Sequence, residues 1–310
     1  MPLDKQAQAL IERFVREGTP PVSKLTPREA RQLAREVNRR LTSPPEAVAV
    51  VKNTRIPGPS AQIPLRVYIP REGKILPVLA YFHGGGWVLG DLDSVDSLCR
   101  SLAKAANCVV VSVNYRLAPE NKFPAAVEDA YSATEWIADN ATVLSGDSRR
   151  IAVGGDSAGG NLAASVSLMA RDKHGPPIAF QLLIYPATNY AFGTTSYSHN
   201  AEGYWISRDD MKWFWNHYLR DEEDRRNPYA SPLLAANLSS LPPAFVITAE
   251  FDPLRDEGEA YAARLGECGV PVKLTRYDGM IHDFMNIAEL RQSRVAIDEA
   301  AAELRKAFAT

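Results

Sequence analysis

At 310 residues the chain is long enough to bury roughly 75% of the surface its unfolded form exposes, so a core can stand without disulfides or a structural metal. Its 35 basic and 37 acidic side chains leave a net charge of −2, with 45% hydrophobic and 23% charged residues. That balance excludes collagen-like, disordered and disulfide-scaffold chains, and it supplies no basic excess with which to bind nucleic acid.

The opening residues, MPLDKQAQALIERF, are interrupted by Asp4, Lys5, Glu12 and Arg13 and lack the apolar stretch of a signal peptide. Ala9, Leu10, Ile11, Phe14 and Val15 are expected to form one apolar helix face. Thr26, Pro27 and Glu29 read as the start of a second helix carrying Leu33, Val37 and Leu41. Arg28, Arg31, Arg35, Arg39 and Arg40 on it are interleaved with Glu29 and Glu36, the pattern of a solvated face. Pro44 and Pro45 close this segment.

Strands and helices then alternate. Short apolar runs rich in β-branched and aromatic residues are expected as strands at Ala47–Val51, Leu65–Ile69, Val78–Phe82, Cys108–Val113, Ile151–Val153, Phe180–Tyr185, Ala244–Thr248 and Val272–Tyr277. Helical stretches follow at Pro124–Asn140, Ala158–Arg171, Asp256–Cys268 and Ser293–Phe308. Helices between buried strands imply parallel crossovers and a layered α/β sheet. The first three strands have no helix between them, which allows antiparallel pairing at one edge.

The rhythm breaks between Tyr185 and Ala244. This long passage holds an aromatic helix, Asp209–Leu219, with Trp213, Phe214, Trp215 and Tyr218, and reads as a functional lid over the sheet. Trp205, Trp213, Phe214 and Trp215 are read first as core and kept out of the site. The longest uncharged run, His174–Ala201, is broken by Pro176, Pro177, Pro186 and Gly193, so no membrane span is expected. Cys99, Cys108 and Cys268 are widely spaced with no CxxC. Neither a disulfide framework nor a metal site is expected, and a reducing, cytoplasmic location is the default.

Chemistry concentrates at four places. Gly155-Asp-Ser-Ala-Gly159 stands between an apolar strand and an Ala-rich helix, the context that G-x-S-x-G requires. Its glycines suit a tight turn that exposes Ser157 as a nucleophile. A phosphate-binding turn is the competing reading, but a Walker lysine and G-x-G-x-x-G are both missing. A serine hydroxyl needs a base, and of the five histidines only His282 follows the last strand, where the Ser–acid–His order places it. The acid belongs at the end of the preceding strand, where Asp252 is preferred over Glu250 and Asp256, the latter expected to cap the next helix. Finally, Tyr81-Phe-His-Gly-Gly-Gly-Trp87 follows a strand with three consecutive glycines, a source of free N–H groups for a developing oxyanion, which the N–H of Ala158 would complete. His83 is expected to brace this loop.

Five motifs in order, His83-Gly-Gly-Gly-Trp87, Tyr115-Arg-Leu-Ala-Pro-Glu120, Gly155-Asp-Ser-Ala-Gly-Gly-Asn161, Asp252-Pro-Leu-Arg-Asp256 and Ile281-His-Asp-Phe284, resemble the hormone-sensitive lipase family of α/β-hydrolases, in particular its bacterial and archaeal carboxylesterase branch. The resemblance spans essentially the whole chain. It implies an α/β-hydrolase fold with an eight-stranded, mostly parallel sheet, residues 1–45 and 188–232 forming a helical cap on a core of 46–187 and 233–310. It implies a serine carboxylesterase acting on short- to medium-chain esters, with Ser157, Asp252 and His282 as the triad and Gly85, Gly86 and Ala158 as the oxyanion hole. His83 and Gly84 support that hole. No metal or organic cofactor is implied, and a homodimer or higher homo-oligomer is common in this branch. An amidase using the same residues, and a binding-only receptor, are the rival readings. One departure is Asp283, where many relatives carry glycine; its side chain is expected to point away from the imidazole.

Overall fold

The computed structural model describes residues 2–309. Asp4 Oδ1 accepts the N–H groups of Gln6 and Ala7 at 2.8 and 3.4 Å and starts helix α1 (Lys5–Arg16). Its buried stripe is Ala7, Leu10 and Phe14, at i, i+3 and i+7. Ala9 and Val15, expected on that stripe, are exposed, Val15 at 73%. Helix α2 (Pro27–Leu41) begins at a capping box: Glu29 Oε2 accepts the Thr26 N–H at 2.9 Å, and Thr26 Oγ1 accepts the Glu29 N–H at 3.4 Å.

The sheet comprises β1 (Val50–Pro57), β2 (Gln62–Ile69), β3 (Leu76–Phe82), β4 (Val109–Val113), β5 (Gly146–Asp156), β6 (Phe180–Ile184), β7 (Ala244–Phe251) and β8 (Val272–Ile281). Among the described residues these eight form one sheet in the order β1-β2-β4-β3-β5-β6-β7-β8. The β1–β2 and β2–β4 pairs are antiparallel and every pair from β4 to β8 is parallel. This is the expected α/β-hydrolase sheet, with two corrections. The first three strands are not neighbours in a row, because β3 lies between β4 and β5. The first strand also starts later than its apolar run suggested: β1 is an edge strand in which only Ile56 is buried, so its polar residues carry no burial signal.

Helices α3 (Asp96–Ala106), α4 (Ala125–Asp139), α5 (Ala158–Asp172), α6 (Thr195–His199), α7 (Arg208–Tyr218), α8 (Arg255–Glu267) and α9 (Arg291–Ala307) complete the layers. The crossover α3, between β3 and β4, was not expected from the sequence. Strand alternation divides the core in two: Val78, Ala80 and Phe82 of β3 face the cluster containing α4 and α5, whereas Leu79 and Tyr81 face the cluster containing α1, α3 and α9.

Two segments lie against the ends of the strands where the site forms. Helix α7 begins at a second capping box between Ser207 and Asp210. Helix α2 is fastened by one guanidinium: Arg31 Nε donates to Val88 O at 2.8 Å, Nη2 to Ala118 O at 2.8 Å, and both Nη atoms reach the Glu120 carboxylate at 2.6–2.7 Å. No helix among the described residues is long and apolar enough to cross a membrane.

Candidate active site

Strand β5 ends at Asp156 and α5 begins at Ala158, leaving Ser157 alone on the turn between them. Its backbone has φ 54° and ψ −116°, a region that L-residues visit at a cost of about 1–3 kcal/mol. The turn is held by the Ser157 N–H donating to Ile184 O at 2.8 Å and by Ser157 O accepting the Asn161 N–H at 3.0 Å. The flanking glycines are steric necessities: a β-carbon at Gly155 would sit 2.5 Å from the carbonyl carbon of Gly159, and one at Gly159 would sit 1.9 Å from Phe82 O. Asn161 Nδ2 donates to Ala187 O and Ala230 O at 2.9 and 2.8 Å, tying α5 to both ends of the long excursion.

His282 arrives from the end of β8 and Asp252 from the end of β7. Ser157 Oγ is 2.9 Å from His282 Nε2, and His282 Nδ1 is 2.7 Å from Asp252 Oδ2. The other carboxylate oxygen, Oδ1, accepts the Leu254 N–H at 2.8 Å, so Asp252 is fixed at both ends. Asp252 is fully buried, while Ser157 and His282 keep 7% and 4% exposure, enough to be reached. The two rival acids serve elsewhere. Glu250 accepts the Gly279 N–H, and Asp256 accepts the Ser196 N–H and pairs with Arg255 without capping α8, whose N-cap position is Leu254. His174 and His199 are exposed and His217 is half-buried on α7, away from Ser157.

The loop after β3 lies beside the serine. Gly85 O accepts the N–H groups of Val88 and Leu89, folding the loop on itself, while the N–H groups of Gly85 and Gly86 donate to no acceptor among the described residues. The Gly84 N–H is different, since it donates to Asp156 Oδ1 at 3.1 Å. The Ala158 N–H, first in its helix, has no intrahelical acceptor. A cavity of about 460 Å³ opens over these groups. Its walls come from both α1–α2 and the excursion, including Phe14, Leu33, Trp205, Met211 and Phe214. Of the four aromatics first read as core, Trp205 and Phe214 line it, and Trp215 is wholly buried. A larger groove of about 630 Å³ on the other side of α2 touches none of the three residues.

A family model described as an alpha/beta hydrolase fold matches residues 79–286. The chain is an α/β-hydrolase of the hormone-sensitive lipase family. It is 46% identical over 255 residues to the carboxylic ester hydrolase LipN of Mycobacterium tuberculosis, covering 79% of this chain and 67% of LipN. It is 38% identical over 286 residues to an arylesterase of Saccharolobus solfataricus, covering 92% and 93%. A solved ester hydrolase from the metagenome of Lake Arreo shares its fold with a TM-score of 0.96 at 42% identity, over 99% of this chain and all of the other.

Around this hydrolase's serine lies a set of braces that sequence reading only partly found. His83 was expected to brace the glycine loop, and its Nδ1 donates to Gly84 O at 2.8 Å while its ring stacks on Tyr115 at 4.3 Å. Burial holds its pKa down at about 4, so the imidazole is neutral and Nδ1 carries the proton. The Tyr115 hydroxyl donates to His83 O at 2.8 Å. Missed altogether were Tyr81 and Asn286. The Tyr81 hydroxyl donates to Asp156 Oδ1 at 2.7 Å, and Asn286 Nδ2 donates to Asp156 Oδ2 at 3.1 Å and Asp283 Oδ1 at 2.7 Å. Asp156 thereby links the nucleophile turn to the glycine loop. Only the position of Tyr81 two residues before His83 and of Asn286 three residues after Asp283 hinted at these roles.

Burial alone would lower the pKa of His282, but the Asp252 carboxylate, with smaller contributions from Asp283 and Asp156, more than offsets it and raises the pKa above the usual value. Burial and the neighbouring Asp283 charge push Asp156 up to about 6, against hydrogen bonds from Tyr81 and Asn286. Asp283 itself is raised by burial. The expectation that its side chain points away is corrected here. At φ 67° the chain reverses after His282, and the carboxylate is carried back to the cavity wall, where Asn286 holds it. Among the described residues no group of three or more histidines, cysteines and acids is arranged to hold a metal ion.

Proposed function

We propose that this hydrolase cleaves short- to medium-chain carboxylic esters through an acyl-enzyme, with Ser157 as nucleophile, His282 as the proton carrier and Asp252 as its orienting acid. The observation that carries the reading is the unbroken chain Ser157 Oγ, His282 Nε2, His282 Nδ1, Asp252 Oδ2, with contacts of 2.9 and 2.7 Å at the floor of a cavity. Ser157 Oγ attacks the ester carbonyl as its proton passes to Nε2, and Asp252 stabilises the imidazolium without taking the proton. The charge that forms on the carbonyl oxygen is received by the N–H groups of Gly85, Gly86 and Ala158, each worth about 3 kcal/mol by oxyanion-hole precedent. His83 and Gly84 hold that loop in shape. The alcohol leaves with the proton from Nε2, and a water activated by the same imidazole releases the acid. Every step uses protein groups and water, so the reading calls for no metal and no organic cofactor.

Residues 1–45 and 188–232 act in this reading as a cap on the core of 46–187 and 233–310. Support comes from the cavity walls, to which both segments contribute, and from a volume of about 460 Å³ that suits small acyl chains. The buried free thiols of Cys99 and Cys108 suit a cytoplasmic setting. A homodimer or higher homo-oligomer belongs to the same reading, since β8 is the edge strand at one end of the sheet among the described residues.

The test is steady-state hydrolysis of p-nitrophenyl esters from acetate to laurate by the wild type and by Ser157→Ala. Activity is expected to peak at short or medium acyls and to fall about 10⁶-fold in kcat in the variant. A variant keeping a tenth of the activity overturns the assignment.

A further inference from the structure

The charge lining the cavity is one-sided. Asp156, Asp210 and Asp283 contribute to its wall, and among the described residues no lysine or arginine does. Two of these carboxylates are saturated by donors. Asp210 takes the Ser23 N–H on Oδ1 at 2.9 Å and the Ser207 N–H and hydroxyl on Oδ2 at 3.0 and 2.7 Å. Asp156 takes Tyr81 and Gly84 on one oxygen and Asn286 on the other. The charge of Asp252 is matched by His282 whenever the imidazole is protonated.

Asp283 stands apart. It is half-buried, and its donors, the Asn286 amide and the Trp205 indole, are both neutral; the opposite charge that acts on it is His282, present only while the imidazole is protonated. It follows His282 directly in the chain and faces the same cavity as Ser157. Beside it Trp205 packs edge-to-face on Phe14 with ring centroids 5.1 Å apart, and the Phe14 ring itself carries the Arg13 and Arg40 guanidiniums at 5.6 and 5.1 Å. A carboxylate in a partly enclosed space attracts organic cations and repels anions. Burial raises the pKa of Asp283, against the Asn286 hydrogen bond and the His282 charge.

We infer that Asp283 is a specificity-determining residue that favours esters bearing an ammonium or quaternary ammonium group over their neutral isosteres, and disfavours esters bearing a carboxylate. The inference rests on the esterase reading and narrows its substrate class.

Two isosteric pairs test it. Acetylcholine against 3,3-dimethylbutyl acetate places the charge in the alcohol, and p-nitrophenyl 4-(trimethylammonio)butanoate against p-nitrophenyl 5,5-dimethylhexanoate places it in the acyl group. In at least one pair the cation is expected to have a kcat/KM about fivefold or more higher at low ionic strength, chiefly through KM, and the preference should shrink as salt shortens the Debye length. Succinate and glutarate mono-p-nitrophenyl esters should fall below p-nitrophenyl butyrate. Asp283→Asn, whose side chain tolerates the left-handed backbone, and Asp283→Gly as a second variant should bring the ratio in that pair towards one. Taking a ratio within a pair cancels any loss of turnover common to both members, which is all that a merely structural role would produce. Hydrolysis of the neutral members with no cation preference in either pair overturns the inference, as does a preference that survives in both variants. Failure of every neutral ester overturns the esterase reading instead, and the inference with it.

Discussion

Gly159→Ala is a single added methyl group that reaches the nucleophile through the backbone. Its β-carbon would lie 1.9 Å from Phe82 O, 2.6 Å from Phe82 C and 2.7 Å from His83 O. All three are main-chain atoms, and Phe82 belongs to a strand paired on both sides, opposite Val113 in β4 and Gly155 in β5, so they do not yield as a side chain would. To reach an ordinary C···O separation of about 3.3 Å the start of α5 must retreat by about 1.4 Å. That helix is buried from Ala158 to Ala170 and has little free space behind it. Overpacking of this kind costs about 3 kcal/mol, a large share of the roughly 5–15 kcal/mol that holds a protein folded. The retreat also carries Ser157 away from His282 Nε2, and a displacement of about 1 Å is worth roughly 10²-fold in rate. Urea unfolding should show a midpoint lowered by about 1 M, and kcat on a p-nitrophenyl ester should fall about a hundredfold at unchanged enzyme concentration. A variant with an unchanged midpoint and undiminished kcat would refute the claim that this glycine sets the position of the serine.

Asp252→Asn keeps the shape but presents an amide to His282 Nδ1, favouring the wrong tautomer; kcat should fall about 10⁴-fold, with the fold intact by circular dichroism. The pH dependence follows from His282, whose pKa is raised by its carboxylate neighbours. Only the neutral imidazole can accept the Ser157 proton, so kcat/KM should decline on the acid side of a pKa above the ordinary histidine value. Asp283→Asn removes one of the charges that raise it and should move that acid limb to lower pH; an acid limb that stays in place or moves upward contradicts the electrostatic account.

The residues that bear the chemistry were more legible than the sheet that carries them. Ser157, His282 and Asp252 lie 30 to 125 positions apart in the chain, yet each follows a strand, with Ser157 between Gly155 and Gly159 and Asp252 before Pro253, and the three meet at 2.7 and 2.9 Å. The order of strands was less accessible, because the pairing of β4 with both β2 and β3 depends on a crossover through α3 that no local pattern announces. Strand β1 was misplaced for a different reason: a sequence search follows burial, and an edge strand with only Ile56 buried offers little of it. At the site, the direction of the Asp283 side chain hinges on one left-handed residue, and the roles of Tyr81 and Asn286 hinge on a shared carboxylate, neither of which residue spacing encodes.

The Arg31 clasp bears on how far the halves of this molecule can be exchanged. One guanidinium engages two carbonyls and a carboxylate of the body, and one of them, Val88 O, belongs to the residue immediately after Trp87 of the glycine loop. Chimeras that graft the N-terminal forty residues of a relative onto the rest of the chain would bring new walls to the cavity, but would also replace one half of a joint whose other half remains behind. A graft that keeps an arginine at position 31 preserves the joint; one that does not leaves the Val88 and Ala118 carbonyls without that donor and loosens the glycine loop after β3. Exchange of the N-terminal segment therefore has a boundary condition at one side chain.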